Sequence, residues 1–162
     1  MPEIVPNEDV EVSKALARSL KKAKIKVMTS SSVESVDTTG DLCKVLIKTK
    51  KGEEVKEAEV VLSAVGITPN TENLGLEELG IKTNRGWIEV DEFYATNVSG
   101  IYAIGDVIPG AALAHVASAE GIICVEKLAG KSPDPLDYKN IPGCTYTSPE
   151  VASVGYTEAA AL

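Results

Sequence analysis

The amino-acid sequence predicts an α/β chain that combines pieces of a parallel sheet with a three-stranded antiparallel meander. Two segments repeat apolar residues at helical spacing, and several short β-branched runs are separated by turn residues. One further run is almost continuously apolar, as in strands that are buried on both faces of a parallel sheet. A chain of 162 residues is long enough to bury a core of this kind without disulfides.

The first predicted element is an amphipathic helix over residues 8–22. Val12, Leu16 and Leu20 recur on one face, while charged residues occupy the other. Acidic residues begin this segment and lysines end it, which suits the helix dipole. Asn7 is the predicted N-terminal cap.

Four apolar runs then predict short strands, at residues 25–28, 33–36, 45–47 and 60–65. Turn residues at 38–41 and 50–53 separate the middle ones, so this region is predicted to form a three-stranded antiparallel meander. The run 60–65 is predicted to be the strand of a parallel sheet, ending at Gly66.

The second half of the chain is predicted to be less regular at first. Residues 71–100 contain one short helix candidate near 74–79, and residues 101–104 predict a strand that closes at Gly105-Asp106. A second, mostly buried helix is predicted from Leu113 to about Ala129, with Gly130 as its stop.

The C-terminal part is predicted to open on a linker at 132–135. Strand and turn are expected at 146–156, and the start of a helix at 159–162. The changes of character near residues 72 and 135 mark the predicted segment boundaries.

Composition excludes several classes of protein. The net charge of −8 and the 4% aromatic content disfavour a nucleic-acid binder. Three widely spaced cysteines and a single histidine argue against a self-contained zinc site and suit a reducing compartment. The sequence contains neither a secretory signal pattern nor an apolar run long enough for a transmembrane helix. It also lacks a G-x-G pair and a GxxxxGK phosphate loop.

Three places could carry chemistry. Gly105-Asp106 follows a predicted strand, where a carboxylate can accept hydrogen bonds from ligand hydroxyls. The turn at 112–115 begins a helix, whose free N–H groups favour an anionic group. Gly66 follows the other apolar run and allows a flat ring to approach the backbone. Taken one at a time, each is better explained as an ordinary turn or helix start, and His115 as a structural histidine.

Taken together, the segments resemble the dihydrolipoamide dehydrogenase family of pyridine nucleotide-disulfide oxidoreductases. The resemblance covers essentially the whole chain. It is carried by residues 1–6 with Glu8-Asp9, 64–70 with 73–74, 101–106, 113–115 with Glu120-Gly121, and 146–155.

The resemblance implies a flavoprotein with two dinucleotide-binding domains. In this family FAD and a reactive disulfide carry electrons from dihydrolipoamide to NAD. Residues 1–72 would form the C-terminal half of the NAD domain, 73–135 the second segment of the FAD domain, and 136–162 the start of the interface domain. The implied partners are a second copy, as a homodimer, and the lipoyl-bearing acyltransferase of 2-oxo-acid dehydrogenase complexes. The implied location is the cytoplasm or the mitochondrial matrix.

The resemblance also implies roles for individual residues. Asp106 would bond the ribityl or phosphate-proximal part of FAD, and Val33 and Gly66 would line the adenine and nicotinamide ends of the NAD site. The backbone N–H groups at the helix start would lie near the pyrimidine edge of the flavin; these belong to Ala112, Leu113, Ala114 and His115.

Other functional parts of the family are missing from these 162 residues. The redox cysteine pair, the glycine-rich phosphate loops and the C-terminal His-Glu base have no counterpart here. The sequence therefore predicts a central fragment without catalytic residues or a metal site, inactive alone and not retaining FAD or NAD. Two alternatives stay open: a fragment of a glutathione or mercuric reductase type, and a stand-alone non-catalytic binding or assembly module.

Overall fold

The computed structural model describes residues 1–162 as two compact units. One unit joins Met1–Ala64 to Pro142–Leu162, and the other is Val65–Ile141. No helix is both long enough and apolar enough to cross a membrane. The elements in chain order are α1 (Val10–Lys22), β1 (Ser32–Asp37), β2 (Cys43–Thr49), β3 (Gly52–Ala58), β4 (Thr83–Asn84), β5 (Trp87–Ile88), α2 (Ala114–Leu128), β6 (Gly143–Thr145), β7 (Val151–Ser153) and α3 (Glu158–Ala161).

Helix α1 of the first unit confirms the predicted amphipathic helix. Leu16 is only 3% exposed, and the Ser13 hydroxyl donates to the Ile4 carbonyl at 2.7 Å. The predicted cap is wrong, because the cap position is Asp9 rather than Asn7. A turn in which the Glu8 N–H donates to the Val5 carbonyl delays the helix start.

The side chain of Asp9 does not cap α1. Its carboxylate instead accepts the N–H of Glu158, at 2.8 Å, and the Ser153 hydroxyl donates to Glu8 at 3.0 Å. These bonds connect the start of the first unit to its C-terminal segment, where β6 and β7 pair and α3 follows.

The three-stranded antiparallel meander is confirmed, with strand order β1-β2-β3. The predicted turn residues lie between its strands, and the Thr49 hydroxyl donates to the Gly52 carbonyl at 2.9 Å. The third strand was not identified from the sequence because it alternates charged residues around Val55 alone. Its charges pair within the sheet, with Lys56 Nζ 2.8 Å from Glu54 Oε2.

The predicted strands at 25–28 and 60–65 are wrong, and no piece of parallel sheet forms. Every strand pairing in the structure is antiparallel. Val60, Leu62 and Val65 are 81%, 89% and 96% exposed. A strand requires a neighbour that pairs with its N–H and C=O groups, and nothing in this chain pairs with these runs.

The second unit has its core around Tyr94. The β4–β5 hairpin contributes Ile88, and α2 contributes Cys124. The core cluster comprises Ile81, Ile88, Tyr94, Ala103, Ile108 and Cys124.

Two predictions for residues 74–104 need correction. Residues 74–79 form turns rather than a helix, because the polypeptide bends at Gly75 and Gly80, both at positive φ. Residues 101–104 make only an isolated bridge, Ala95 to Tyr102, followed by a 3₁₀ turn at Gly105–Val107. The single bridge between Ala95 and Tyr102 is not part of a longer strand pairing, because no further β-bridge lies beside it.

Helix α2 has the predicted bounds and ends before Gly130, whose φ is +78°. The prediction that it is mostly buried is wrong. Ile122, Val125 and Leu128 are 63%, 63% and 55% exposed, because the core contacts only the opposite face of the helix.

Candidate functional site

Gly105 lies where the chain packs closely against α2. Its φ is +72°, and a Cβ built on it would lie 3.2 Å from the Cβ of Ala117. A Cβ on Gly121, one turn further along α2, would lie 3.3 Å from the Ile104 side chain. Two glycines therefore allow the helix to pack against the backbone at 104–105.

This packing brings two of the predicted sites into one region. Asp106 follows Gly105 and is exposed, so its carboxylate is available to accept hydrogen bonds. Ala117 is one turn inside α2, so the start of the helix lies near the same backbone.

The N-terminus of α2 has no side-chain cap. Its cap residue is Leu113, with an extended φ of −134°, and Leu113 itself is half-buried. Ala112, Ala114 and His115 are exposed. The positive end of the helix dipole is therefore presented at the surface, beside a hydrogen-bond acceptor at Asp106. A ligand that combines hydroxyl groups with an electron-rich polar ring edge, as FAD does, fits this pair of features.

Val33 and Gly66 are the two residues predicted at the NAD site, and each is placed separately. Val33 is 61% exposed on β1, opposite Ile47 and beside an irregularity in the strand pairing. Gly66 has a φ of +131°, and a Cβ there would meet nothing within 4 Å. The two residues belong to different units, and their NAD role stays a prediction.

A buried polar network lies directly behind the Gly105 turn. Glu120 is 2% exposed, and its carboxylate accepts the Gly105 N–H at 2.6 Å and the Tyr138 hydroxyl at 2.7 Å. The Tyr138 hydroxyl also lies 3.4 Å from that of Tyr94. Through Glu120, the network therefore connects α2 by hydrogen bonds to the Gly105 turn and to Tyr138, which follows the helix.

The two phenols of this network are held in the neutral, donating form. Burial, followed by the hydrogen bonds with Tyr94 and Glu120, raises the pKa of Tyr138. Burial is also the largest cause that raises the pKa of Tyr94. A phenol is already a neutral donor at pH 7, and the raised pKa values extend that form further into the alkaline range.

Sequence reasoning used Glu120 only as part of a motif and missed Tyr94 and Tyr138. A signal for Glu120 was present: Val116, Glu120 and Cys124 are four residues apart, so they share one helix face, which is the buried one. A carboxylate in the middle of an apolar face indicates a partner within the core. No comparable local signal marked Tyr138, because its partners lie 18 and 44 residues away.

The second unit also contains two open cavities. One, of about 430 Å³, is lined mainly by residues 71–78. The other, of about 520 Å³, lies beside Tyr94 and Tyr138 and includes Glu89 and Asp91. None of the cofactor-site residues predicted from the sequence lines either cavity.

The comparisons with known proteins define the class first. The family model for pyridine nucleotide-disulphide oxidoreductase matches residues 1–121, and the chain belongs to this family. Within it, the chain is 50% identical over 159 residues to dihydrolipoyl dehydrogenase 2, mitochondrial, of Arabidopsis thaliana. It is 46% identical over 163 residues to the dihydrolipoyl dehydrogenase of Rhizobium etli.

These matches cover 96% and 99% of this chain but only 31% and 34% of the two relatives. The chain therefore spans about a third of the length of the curated relatives that it matches.

Solved structures give the same class. The chain is similar to LpdA from Mycobacterium tuberculosis, with a TM-score of 0.86 and 31% identity over 95% of this chain and 33% of that one. It is also similar to RclA from Escherichia coli, an HOCl-induced flavoprotein disulfide reductase. That match has a TM-score of 0.85 and 26% identity, and covers 97% of this chain and 36% of the other. The curated dihydrolipoyl dehydrogenases are thus considerably closer in sequence than RclA.

Proposed function

We propose that this chain supplies the central part of an FAD-dependent dihydrolipoyl dehydrogenase, which oxidises dihydrolipoamide and passes hydride to NAD. The observation that carries the proposal is the 50% identity to a dihydrolipoyl dehydrogenase across 96% of the chain. The rival fragment, from a reductase of the glutathione or mercuric type, is less favoured because the relatives at 50% and 46% identity are dihydrolipoyl dehydrogenases.

The Gly105 turn and the start of α2 would hold part of the flavin. FAD, when bound, supplies the ring that accepts electrons from the substrate dithiol and passes hydride to NAD. The Asp106 carboxylate would accept hydrogen bonds from the ribityl or phosphate-proximal part of the cofactor. Backbone N–H groups of residues 112–115 would lie near the pyrimidine edge, where the helix dipole would stabilise negative charge on the reduced ring.

The other assignments follow the family pattern. Residues 1–72 belong to the NAD domain, in which Val33 contacts the adenine end of NAD and Gly66 the nicotinamide end. Residues 73–135 belong to the FAD domain, and 136–162 begin the interface domain. The whole enzyme works as a homodimer with the lipoyl-bearing acyltransferase of a 2-oxo-acid dehydrogenase complex, in the cytoplasm or the mitochondrial matrix.

The first experiment is an intact mass and an absorbance scan of the natural protein that contains these residues. A mass well above 17.1 kDa together with flavin bands is expected. A protein of 17.1 kDa without flavin absorbance would contradict an active FAD enzyme and favour the stand-alone module.

The second experiment identifies the substrate. The natural protein is assayed with NADH against lipoamide, oxidised glutathione and Hg²⁺ in parallel, and turnover is expected with lipoamide. Faster turnover with oxidised glutathione or Hg²⁺ than with lipoamide would instead support a fragment of a glutathione or mercuric reductase type. The isolated 162 residues serve as the control and are expected to show no diaphorase activity, because they lack the redox cysteine pair.

A further inference from the structure

The carboxylate of Glu120 occupies a position where an apolar side chain is expected. It lies on the buried face of α2, between Val116 and Cys124, and is 2% exposed. Burying a carboxylate is unfavourable unless hydrogen bonds replace those that water made. The partners of this carboxylate therefore indicate what it does.

The first partner is the backbone of the Gly105 turn. The Gly105 N–H donates to Glu120 Oε2 at 2.6 Å. Gly105 also adopts a φ of +72° with α2 packed against it. The carboxylate thereby fixes the point at which the chain leaves residue 104 and enters the loop 105–113.

The second partner reaches the middle of the same loop. The Tyr138 hydroxyl donates to Glu120 Oε1 at 2.7 Å. The ring of Tyr138 lies beside Gly110, where a Cβ would be 3.6 Å from the ring atom Cε1. One carboxylate therefore binds the loop at Gly105 directly and holds the Tyr138 ring beside Gly110.

We propose that Glu120 is a positioning residue for flavin binding, with Tyr138 as its auxiliary. The carboxylate holds loop 105–113 in the shape that presents Asp106 and the first N–H groups of α2 to the cofactor. Glu120 itself touches neither the flavin nor a substrate in this scheme. The inference rests on the proposed function, because the loop must carry flavin contacts for its shape to affect flavin affinity.

Three substitutions separate this role from a general contribution to stability. Glu120→Ala removes both hydrogen bonds. Glu120→Gln keeps them, because the amide oxygen accepts the Gly105 N–H while the amide NH₂ donates to the Tyr138 oxygen, which can act as an acceptor. Glu126→Gln is the matched control: Glu126 is on the same helix but at the surface, where it pairs with Lys131 at 3.0 Å.

The experiment uses the complete natural protein that contains these residues, with flavin removed and titrated back. The measurements are the FAD dissociation constant and the hydrogen exchange of peptides over 105–113 in the flavin-free form. We expect Glu120→Ala to weaken FAD binding about tenfold or more and to accelerate exchange across the loop. Glu120→Gln should remain within about threefold of the parent, and Glu126→Gln should match it.

Wild-type flavin affinity and exchange in a folded Glu120→Ala protein would overturn the proposal. Equal losses in Glu120→Gln and Glu120→Ala would also overturn it, since the hydrogen bonds would then not be what matters. If Glu120→Ala does not fold, Tyr138→Phe is measured instead, with an intermediate loss of affinity and faster exchange near Gly110 expected. A Tyr138→Phe protein indistinguishable from the parent would again overturn the proposal.

The exchange measurement also separates this proposal from the proposed function. If the parent protein binds no FAD, the proposed function fails, and the flavin part of the inference fails with it. In that case the hydrogen exchange still tests the structural role of Glu120. Faster exchange over residues 105–113 in Glu120→Ala would support a role for Glu120 in holding this loop, and unchanged exchange would overturn it.

Discussion

Helices α1 and α2 differ in how far their sequences predict their surroundings. The apolar residues of α1 lie on one face, and that face is buried around Leu16. Helix α2 carries apolar residues on several faces, yet only Val116, Glu120 and Cys124 are buried. An amphipathic pattern identifies which face is buried, whereas apolar residues spread over several faces indicate only that more than one face could be buried.

The largest expected effect tests this difference directly. Leu16→Ala on α1 should lower the free energy of unfolding by about 3 kcal/mol, because it truncates a side chain that is 3% exposed. Ile122→Ala on α2 should change it by less than about 0.5 kcal/mol, since Ile122 is 63% exposed. Urea unfolding measures the free energy of unfolding of both variants. If Ile122→Ala lost as much as Leu16→Ala, the outer face of α2 would be covered in solution.

The same contrast explains how much of the fold could be predicted from the sequence. The bounds of α1 and α2 and the turns of the meander depend on local periodicity and turn chemistry, and they were predicted. The run 60–65 was predicted to be a buried strand, and it is exposed because strand formation depends on a partner segment elsewhere.

In the candidate site, too, the features that depend on local sequence were predicted and the long-range contacts were not. Gly105 and Asp106 were identified from a local motif, and the glycine is required by its positive φ and by its contact with Ala117. The bond from Gly105 to Glu120 spans 15 residues, and the bond from Tyr138 to Glu120 spans 18. Neither contact produces a periodic pattern of residues from which it could be predicted.

The second prediction concerns two glycines at the two ends of the α2 region. Gly105→Ala should cost about 2 kcal/mol, because it combines a φ of +72° with a Cβ only 3.2 Å from Ala117. Gly130→Ala should cost about 1 kcal/mol, because its φ of +78° is strained but a Cβ there meets nothing within 4 Å. Thermal or urea unfolding measures both losses, and their difference reports the cost of placing a Cβ against α2 at residue 105. A larger loss for Gly130→Ala than for Gly105→Ala would contradict that packing.

The third prediction concerns pH and the phenols of the α2 region. Burial raises the pKa of Tyr94 above its unfolded value of about 10. The folded state therefore keeps a proton that the unfolded state loses, so this contribution is complete below pH 10 and is lost as pH rises further. The slope for one such group is at most about 1.4 kcal/mol per pH unit.

Urea unfolding between pH 8 and 11 measures this dependence. The Tyr94→Phe variant should lose less stability than the parent above about pH 10, since it has no proton to release there. Equal slopes in the two proteins would show that Tyr94 ionises as easily when folded as when unfolded.

The smallest expected effect is at the exposed end of α2. Glu126→Gln removes an ion pair with Lys131, whose side chain is 64% exposed, and should cost about 0.3 kcal/mol or less. The loss should vanish in 1 M salt, because exposed ion pairs are screened. A loss above about 1 kcal/mol that persists in high salt would show that this end of the helix is less accessible than its exposure indicates.

The division of the chain into units has a consequence for the order of folding. The unit Val65–Ile141 is continuous, so all of its contacts can form as soon as that stretch has been synthesised. The other unit closes only when residues 142–162 return to the N-terminal segment, for example through the bond between Glu158 and Asp9, which are 149 residues apart. Closing so long a loop is entropically unfavourable, and a folded intervening unit shortens the distance that the free chain must search. We therefore expect the inserted unit to fold first, and the outer unit to be completed only after residues 142–162 have been synthesised.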